Sequence, residues 1–280
     1  MIIQNYGTDE RCRTAARLIA EWLGDARVGE AVGGEQDSLG GDISESCNLD
    51  RALGIGRVII LPIPSARRGV AELGCAESEE EIISAIDGET LLVGYSVPTA
   101  FSSAARERGA VIYDAALDEA FLRGNAELTA EAMLGILLTE SKRSLSELCV
   151  GIFGWGRIGS RLGSKLLFLG SRITVFTSSE DKRIELGKLG IATREASEEA
   201  LDLSGIDVVI NTAPKRLISE GALVAAGYPT LYDLASGGAT DGLTGARLLP
   251  SLPTRFYPES AGRLYAEGVL RVLGSEDRYI

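Results

Sequence analysis

Short apolar runs alternate with amphipathic stretches along the whole chain, the mark of an α/β protein with parallel sheets. In the first half the pattern predicts strands over residues 2–5, 57–61, 90–94 and 110–113. Helices are predicted between them, over 9–23, 79–85 and 99–107. Residues 29–41, rich in glycine and acids, read as loop with room for one short strand. Over 126–139 the spacing predicts a linking helix. Ala130, Met133, Leu134, Leu137 and Leu138 fall at i, i+3, i+4, i+7 and i+8, which makes one buried face. A second α/β unit follows, with strands over 149–153, 172–176, 207–211, 230–234 and 246–249. A last helix over 258–273 puts Ala261, Leu264, Tyr265, Gly268 and Val272 on one stripe. The layout suggests two domains, 1–125 and 126–280, with the terminal helix packing back on the first.

One motif stands out in the second unit. Gly154-Trp155-Gly156-Arg157-Ile158-Gly159 follows an apolar strand, opens a predicted helix over 161–169 and precedes a second strand. This is the setting in which a glycine-rich turn binds a dinucleotide, so the unit reads as a Rossmann domain. Gly154 permits the tight turn, Gly156 lets the backbone approach a diphosphate, and Gly159 allows the helix to pack closely on the strand. The unpaired N–H groups and positive end of the helix, at Arg157 and Ile158, face the phosphates.

The second strand bears on the choice of nucleotide. An acid at its end, roughly 20 residues beyond the turn, bonds the ribose 2′-hydroxyl of NAD. Here Thr177-Ser178-Ser179 stand there, with Lys182 and Arg183 nearby. Hydroxyls and bases accept a 2′-phosphate, so NADP is expected. The alternative is that Ser178 or Ser179 caps the next helix while NAD binds. The next two strands end in Asn211-Thr212-Ala213-Pro214 and Asp233-Leu234-Ala235-Ser236, at the carboxyl ends where open α/β sheets take ligands. Thr212, Ala213 and Ser236 are candidate cofactor contacts, together with Asn211, Pro214 and Ala235. For Asn211 and Asp233 the alternative is turn and helix capping.

Charge and cysteine content narrow the partners. The net charge is −12, which disfavours nucleic acid and anionic membranes. Residues 1–125 carry 21 acids and 11 bases, whereas 126–280 carry 19 and 17, so the more neutral half holds the polyanion-binding motif. There is no histidine, and Cys12, Cys47, Cys75 and Cys149 form no C-x-x-C pair, so no Cys/His metal site is expected. They read as reduced, mostly buried thiols. No apolar run is long enough to span a bilayer and the N-terminus lacks the pattern of a signal peptide, so a cytoplasmic protein is expected.

Several stretches resemble the A-subunit family of dipicolinate synthase, the spore dipicolinic acid enzyme of endospore formers. They are LPIPSA (61–66), NAELTAE (125–131), GWGRIGSRL (154–162), DVVINTAPKRLI (207–218), DLASGGATD (233–241) and LLPSLPTRFYPESAG (248–262). The glycine-rich portion alone is also similar to 2-hydroxyacid dehydrogenases. The resemblance implies a flavodoxin-like first domain and a nicotinamide-dependent oxidation of a dihydro- or hydroxytetrahydrodipicolinate precursor. It also implies a flavoprotein-like B subunit as partner. Three places depart from the family pattern: Glu259 stands for a lysine, Ser251-Leu252-Pro253-Thr254 replaces a glycine-flanked Leu-Pro, and Arg67 and Arg68 follow PSA.

Aromatising such a ring removes a hydride and a proton, and the aromatic product supplies much of the driving force. That suits a chain without histidine. A dianionic substrate needs cations. Arg67 after a predicted strand is the first candidate, then Arg68, and Lys215 just after the Asn211–Pro214 turn is another; each also reads as a solvated surface base. Glu131 in the linking helix is the candidate proton acceptor, or else a helix-surface acid. Ser65 and Ser96, both just after strands, are candidates to bond a substrate carboxylate. Two other functions compete: an NAD(P)-binding regulatory or recruiting subunit of little activity, and a dehydrogenase for another cyclic imino or amino acid. By analogy with two-domain dehydrogenases the chain is expected to form a homodimer.

Overall fold

The computed structural model describes residues 1–7, 9–24, 26–30, 55–63, 79–197, 201–235 and 237–274. Arg67, Arg68, Ser65, Ser236, Cys47 and Cys75 lie outside the described residues, as does most of the predicted loop 29–41. Two compact units are present: Met1–Asn125 with Pro253–Ile280, and Ala126–Leu252. The chain therefore leaves the first unit once and returns to it at Pro253, and the terminal helix belongs by its contacts to the first unit.

The first unit contains β1 (Ile2–Asn5), α1 (Glu10–Leu23), β2 (Arg27–Glu30), β3 (Arg57–Ile60), α2 (Glu79–Ser84), β4 (Thr90–Gly94), α3 (Thr99–Glu107) and β5 (Val111–Asp114). Its five strands are all parallel in the order β2-β1-β3-β4-β5, the flavodoxin-like order. Val58, Ile59 and Ile60 are all buried, as strands covered by helices on both faces require. α1 starts where the sequence signal places it: Asp9 is the N-cap and accepts a hydrogen bond from the Cys12 amide at 3.0 Å.

The helix α4 (Glu119–Glu140) is longer at its start than the apolar spacing indicates. Asp118 caps it, accepting from the Ala120 and Phe121 amides. Gly124 is tolerated inside it because Leu264 lies against it; a Cβ there would come within 2.6 Å of the Leu264 side chain.

The second unit contains β6 (Cys149–Phe153), α5 (Arg157–Phe168), β7 (Arg172–Thr177), α6 (Glu180–Lys188), β8 (Ala192–Glu195), β9 (Val208–Asn211), α7 (Glu220–Ala225), β10 (Thr230–Asp233) and β11 (Ala246–Leu248). Its six parallel strands run β11-β10-β9-β6-β7-β8, the doubly wound Rossmann order read from the far edge. β8 is absent from the sequence expectation, since Ala192-Thr193-Arg194-Glu195 has no apolar alternation and leaves no residue buried. Behind the glycine-rich turn Phe153 and Phe176 stack at 4.5 Å, and Phe176 occupies the space a Cβ on Gly151 would take.

The chain ends with α8 (Leu252–Phe256) and α9 (Pro258–Gly274). α9 packs along α1, with Tyr265, Ala266, Val269 and Leu273 in one core with Cys12, Ile19 and Leu23. The close approach depends on Gly262, where a Cβ would lie 2.4 Å from the Thr14 Cβ and 3.0 Å from the Arg11 carbonyl. Gly262→Ala is expected to destabilise the chain by about 1–3 kcal/mol through overpacking, more than the gain of about 1 kcal/mol in helix propensity. A denaturant midpoint unchanged or raised in that variant would contradict it.

Candidate functional site

In the second unit the strand order reverses between β6 and β9. Loops at the carboxyl ends of those two strands therefore diverge and leave a crevice, the place where open α/β sheets take ligands. The glycine-rich turn and the Asn211–Pro214 turn are these two loops.

Gly154 has φ +87°, a left-handed conformation that favours glycine. Gly159 lies so close beneath it that a Cβ would sit 2.2 Å from the Gly154 carbonyl oxygen. Gly156 is different: a Cβ there would meet nothing within 4 Å. It is the N-cap of α5 and provides no side-chain cap, and the first turn carries no acid. The helix thus presents backbone N–H groups and its positive end to open space, with exposed Arg157 and half-buried Ile158 beside them. Trp155 does not cover that space. Its indole lies over α5, where a Cβ on Gly163 would be 2.4 Å from the ring. A diphosphate fits this cradle: a backbone clearance at Gly156, free donors and no competing carboxylate.

Thr212 ties the second loop to the first, its hydroxyl donating to the Phe153 carbonyl at 2.8 Å. Asn211 and Asp233 are each 1% exposed. The Asn211 amide donates to Asp233 at 2.8 Å and to the Ala213 carbonyl at 3.0 Å, and its oxygen accepts from the Ala213 amide. Asp233 also accepts from the Ala235 amide, the Thr240 amide and the Thr240 hydroxyl, each at 2.9 Å. These two side chains build the loops, which is the capping role that the sequence leaves open for them. Thr212, Ala213, Pro214 and Ala235 are the parts of the loops left partly or fully exposed.

At the end of β7, Ser179 caps α6, accepting from the Lys182 amide at 3.2 Å. Lys182 pairs with Glu185, and the Arg183 guanidinium donates to the Thr177 carbonyl at 2.9 Å. Exposed Ser178 and half-buried Arg183 remain at the strand end, with no acid among Thr177, Ser178 and Ser179.

Lys215 is exposed immediately after the β9 loop and makes no ion pair among the described residues. Glu131 stands elsewhere. Its carboxylate is 3.7 Å from Lys165, which lies in the last turn of α5, the opposite end of that helix from the glycine-rich turn. Lys165 also pairs with Glu127, which in turn pairs with Arg161 at 3.2 Å, and the Glu127 carboxylate beside it pushes the Lys165 ammonium up from its ordinary range. Glu131 thus completes an ion-pair ladder between α4 and α5 and is not brought to the strand ends. A second ladder holds β10 and β11: Glu140 accepts from the Tyr232 hydroxyl at 2.7 Å and from Arg247 at 2.9 Å, and Arg247 lies 5.1 Å over the Tyr232 ring. No cluster of metal-ligating side chains is found among the described residues, and no described helix is long and apolar enough to cross a membrane.

These features define a class. The chain is a two-unit α/β protein whose second unit has the dehydrogenase-type nucleotide-binding fold, and it superposes on a D-lactate dehydrogenase of Treponema pallidum with TM-score 0.51 and 12% identity, covering 97% of this chain and 96% of that one. A more particular likeness runs over the whole length. The chain is 25% identical to the A subunit of dipicolinate synthase of Bacillus subtilis (strain 168) over 95% of its own residues and 94% of the relative's. The crystal structure of the A subunit from Bacillus halodurans superposes with TM-score 0.75 at 21% identity, covering 98% of this chain and 97% of the other. No protein-family model matches the chain.

Two outcomes follow from the geometry. Asp233→Ala leaves several buried donors without an acceptor and is expected to destabilise by about 3 kcal/mol, read from the denaturant midpoint. Glu131→Gln removes one partly exposed ion pair and is expected to change stability by less than about 1 kcal/mol and to leave the rate of any nicotinamide-linked turnover unaltered; a large fall in that rate would restore Glu131 as the proton acceptor.

Proposed function

We propose that the chain is a nicotinamide-nucleotide-dependent oxidoreductase acting on a small cyclic dicarboxylate, in the manner of the dipicolinate synthase relative it resembles. The observation that carries the reading is the cradle at Gly156. It is an uncapped helix N-terminus with open space where a side chain would stand, at the switch point of a Rossmann sheet. Gly154, Gly156, Arg157, Ile158 and Gly159 would hold the diphosphate, and Thr212, Ala213, Pro214, Ala235 and Ser236 would flank the nicotinamide end. Asn211 shapes that end without contacting the nucleotide. NADP is the favoured form, because Thr177, Ser178 and Ser179 put hydroxyls and no carboxylate at the end of β7 and Arg183 lies beside them.

A bound nicotinamide supplies the hydride acceptor. The chain's own part is to align the ring carbon and exclude water. A dihydrodipicolinate ring would lose one hydride and one proton and become a pyridine, the proton passing to solvent; no histidine is needed, and none is present. Lys215 and Arg67 would each attract the dianion to an otherwise acidic protein. The relative's designation as one of several subunits favours a partner chain, for which a flavoprotein-like B subunit is the candidate. A homodimer and a cytoplasmic location complete the proposal.

Titration of the purified chain with NADP and with NAD tests it, together with Gly156→Val. A valine at that position meets no protein atom, so the fold should be retained while NADP affinity falls by about tenfold or more, equivalent to about 1.4 kcal/mol. NADP binding undiminished by the valine removes the cradle from the mechanism, and tighter binding of NAD than of NADP ends the NADP preference.

A further inference from the structure

The first unit has its own switch point, between β1 and β3. There the loop after β1 is fixed from inside. The Asn5 amide donates to the Gly7 carbonyl at 3.2 Å, and its oxygen accepts from the Gly7 amide at 3.0 Å. Gly7 lies against Cys12, whose Sγ would be 2.4 Å from a Cβ on that glycine. α1 begins two residues further on, and Arg11 in its first turn donates to Asp9 at 2.8 Å. The Arg11 side chain is only 9% exposed, and its Nε is buried with no hydrogen-bond partner among the described residues.

A second unmatched donor stands beside it. Tyr265 on α9 is fully buried, and its hydroxyl has no partner among the described residues. Burial pushes that hydroxyl well above its ordinary range, so it remains an O–H. The two groups are neighbours. Gly262, one helical turn before Tyr265, packs on the Arg11 carbonyl, and the Arg11 and Asp114 charges and the Cys12 thiol all act on the phenol. Asp114 does not serve as the missing acceptor, because its carboxylate accepts from the Ser96, Val97 and Ala116 amides at 2.8, 2.9 and 2.9 Å. Ser96 is held in a left-handed conformation, φ +55°, by that contact.

Buried polar groups are ordinarily matched, and a guanidinium more than most. Two donors here, one of them charged, call for an acceptor with two oxygens and a negative charge. A carboxylate meets both requirements and suits the guanidinium geometry. We propose that Arg11 and Tyr265 bind one carboxylate of the substrate at the carboxyl end of the first sheet. The proposal rests on the reading of the substrate as a dicarboxylate. Arg11, which keeps some contact with solvent, is the outer donor and the Tyr265 hydroxyl the inner one.

The test uses the full chain and pyridine-2,6-dicarboxylate in metal-depleted buffer, titrated calorimetrically into the wild type, Arg11→Gln and Tyr265→Phe. The dicarboxylate affinity should fall at least about tenfold in each variant, or about 1.4 kcal/mol. NADP affinity should stay within about twofold, a difference far below that tenfold step. Tyr265→Phe removes only the unmatched oxygen, so it should unfold at the same or a higher denaturant concentration. That separates a lost ligand contact from a damaged core and leaves a decisive variant should Arg11→Gln fold poorly. Equal dicarboxylate affinity in Tyr265→Phe and the wild type overturns the proposal, as does a wild type that binds no dicarboxylate at millimolar concentration. Failure of NADP to bind would strike the nucleotide reading instead, and the titration would still report on Arg11 and Tyr265.

Discussion

The second unit is organised around one steric fact: α5 starts in contact with the turn that precedes it. Gly159 touches the Gly154 carbonyl at a separation no side chain permits, and Gly154 itself takes a conformation most residues avoid. Once those positions are glycine, the helix axis points at the crevice beside β6, and its uncapped amides are aimed there. Thr212 closes the arrangement from β9 by bonding the carbonyl at the end of β6. The turn, the helix and the neighbouring strand are therefore one rigid object, which is what a site that recognises an anion by backbone groups requires.

Polar groups in the interior share out this rigidity. Asp233, Asn211 and Thr240 bond one another and the loop backbone, so two loops at the ends of β9 and β10 are fixed without a ligand. Such a network is stable because each buried acceptor has its donors. The Arg11–Tyr265 corner is the counterexample in the same molecule, with donors that the described residues do not answer. The contrast between a satisfied and an unsatisfied polar cluster is the physical ground for reading the first as scaffold and the second as a place where something binds.

The ion pairs divide in the same manner. Glu127 and Glu131 join α4 to α5 through Arg161 and Lys165, and Glu140 joins it to β11 through Arg247. All are partly exposed, where such pairs contribute little each. They fix the sides of the helices, far from the strand ends, which is why an acid in the linking helix carries no catalytic weight by position alone.

Much of this was legible in the sequence. β1, β4, α3 and β6 fall where the apolar pattern puts them, because each is short, regular and flanked by turn residues. The glycine-rich turn was legible because its spacing encodes a backbone geometry only glycine meets. The capping of α6 by Ser179 was legible as one of two readings, and the structure selects it. Tertiary structure decided the rest. β8 has no buried face to announce it, and α4 begins before its apolar stripe because Asp118 caps it and Leu264 fills the gap at Gly124. The return of α9 to the first unit, and with it the meeting of Arg11 and Tyr265, joins residues from opposite ends of the chain. No local pattern encodes such a contact, since periodicity reports which face of a helix is buried and not what it is buried against.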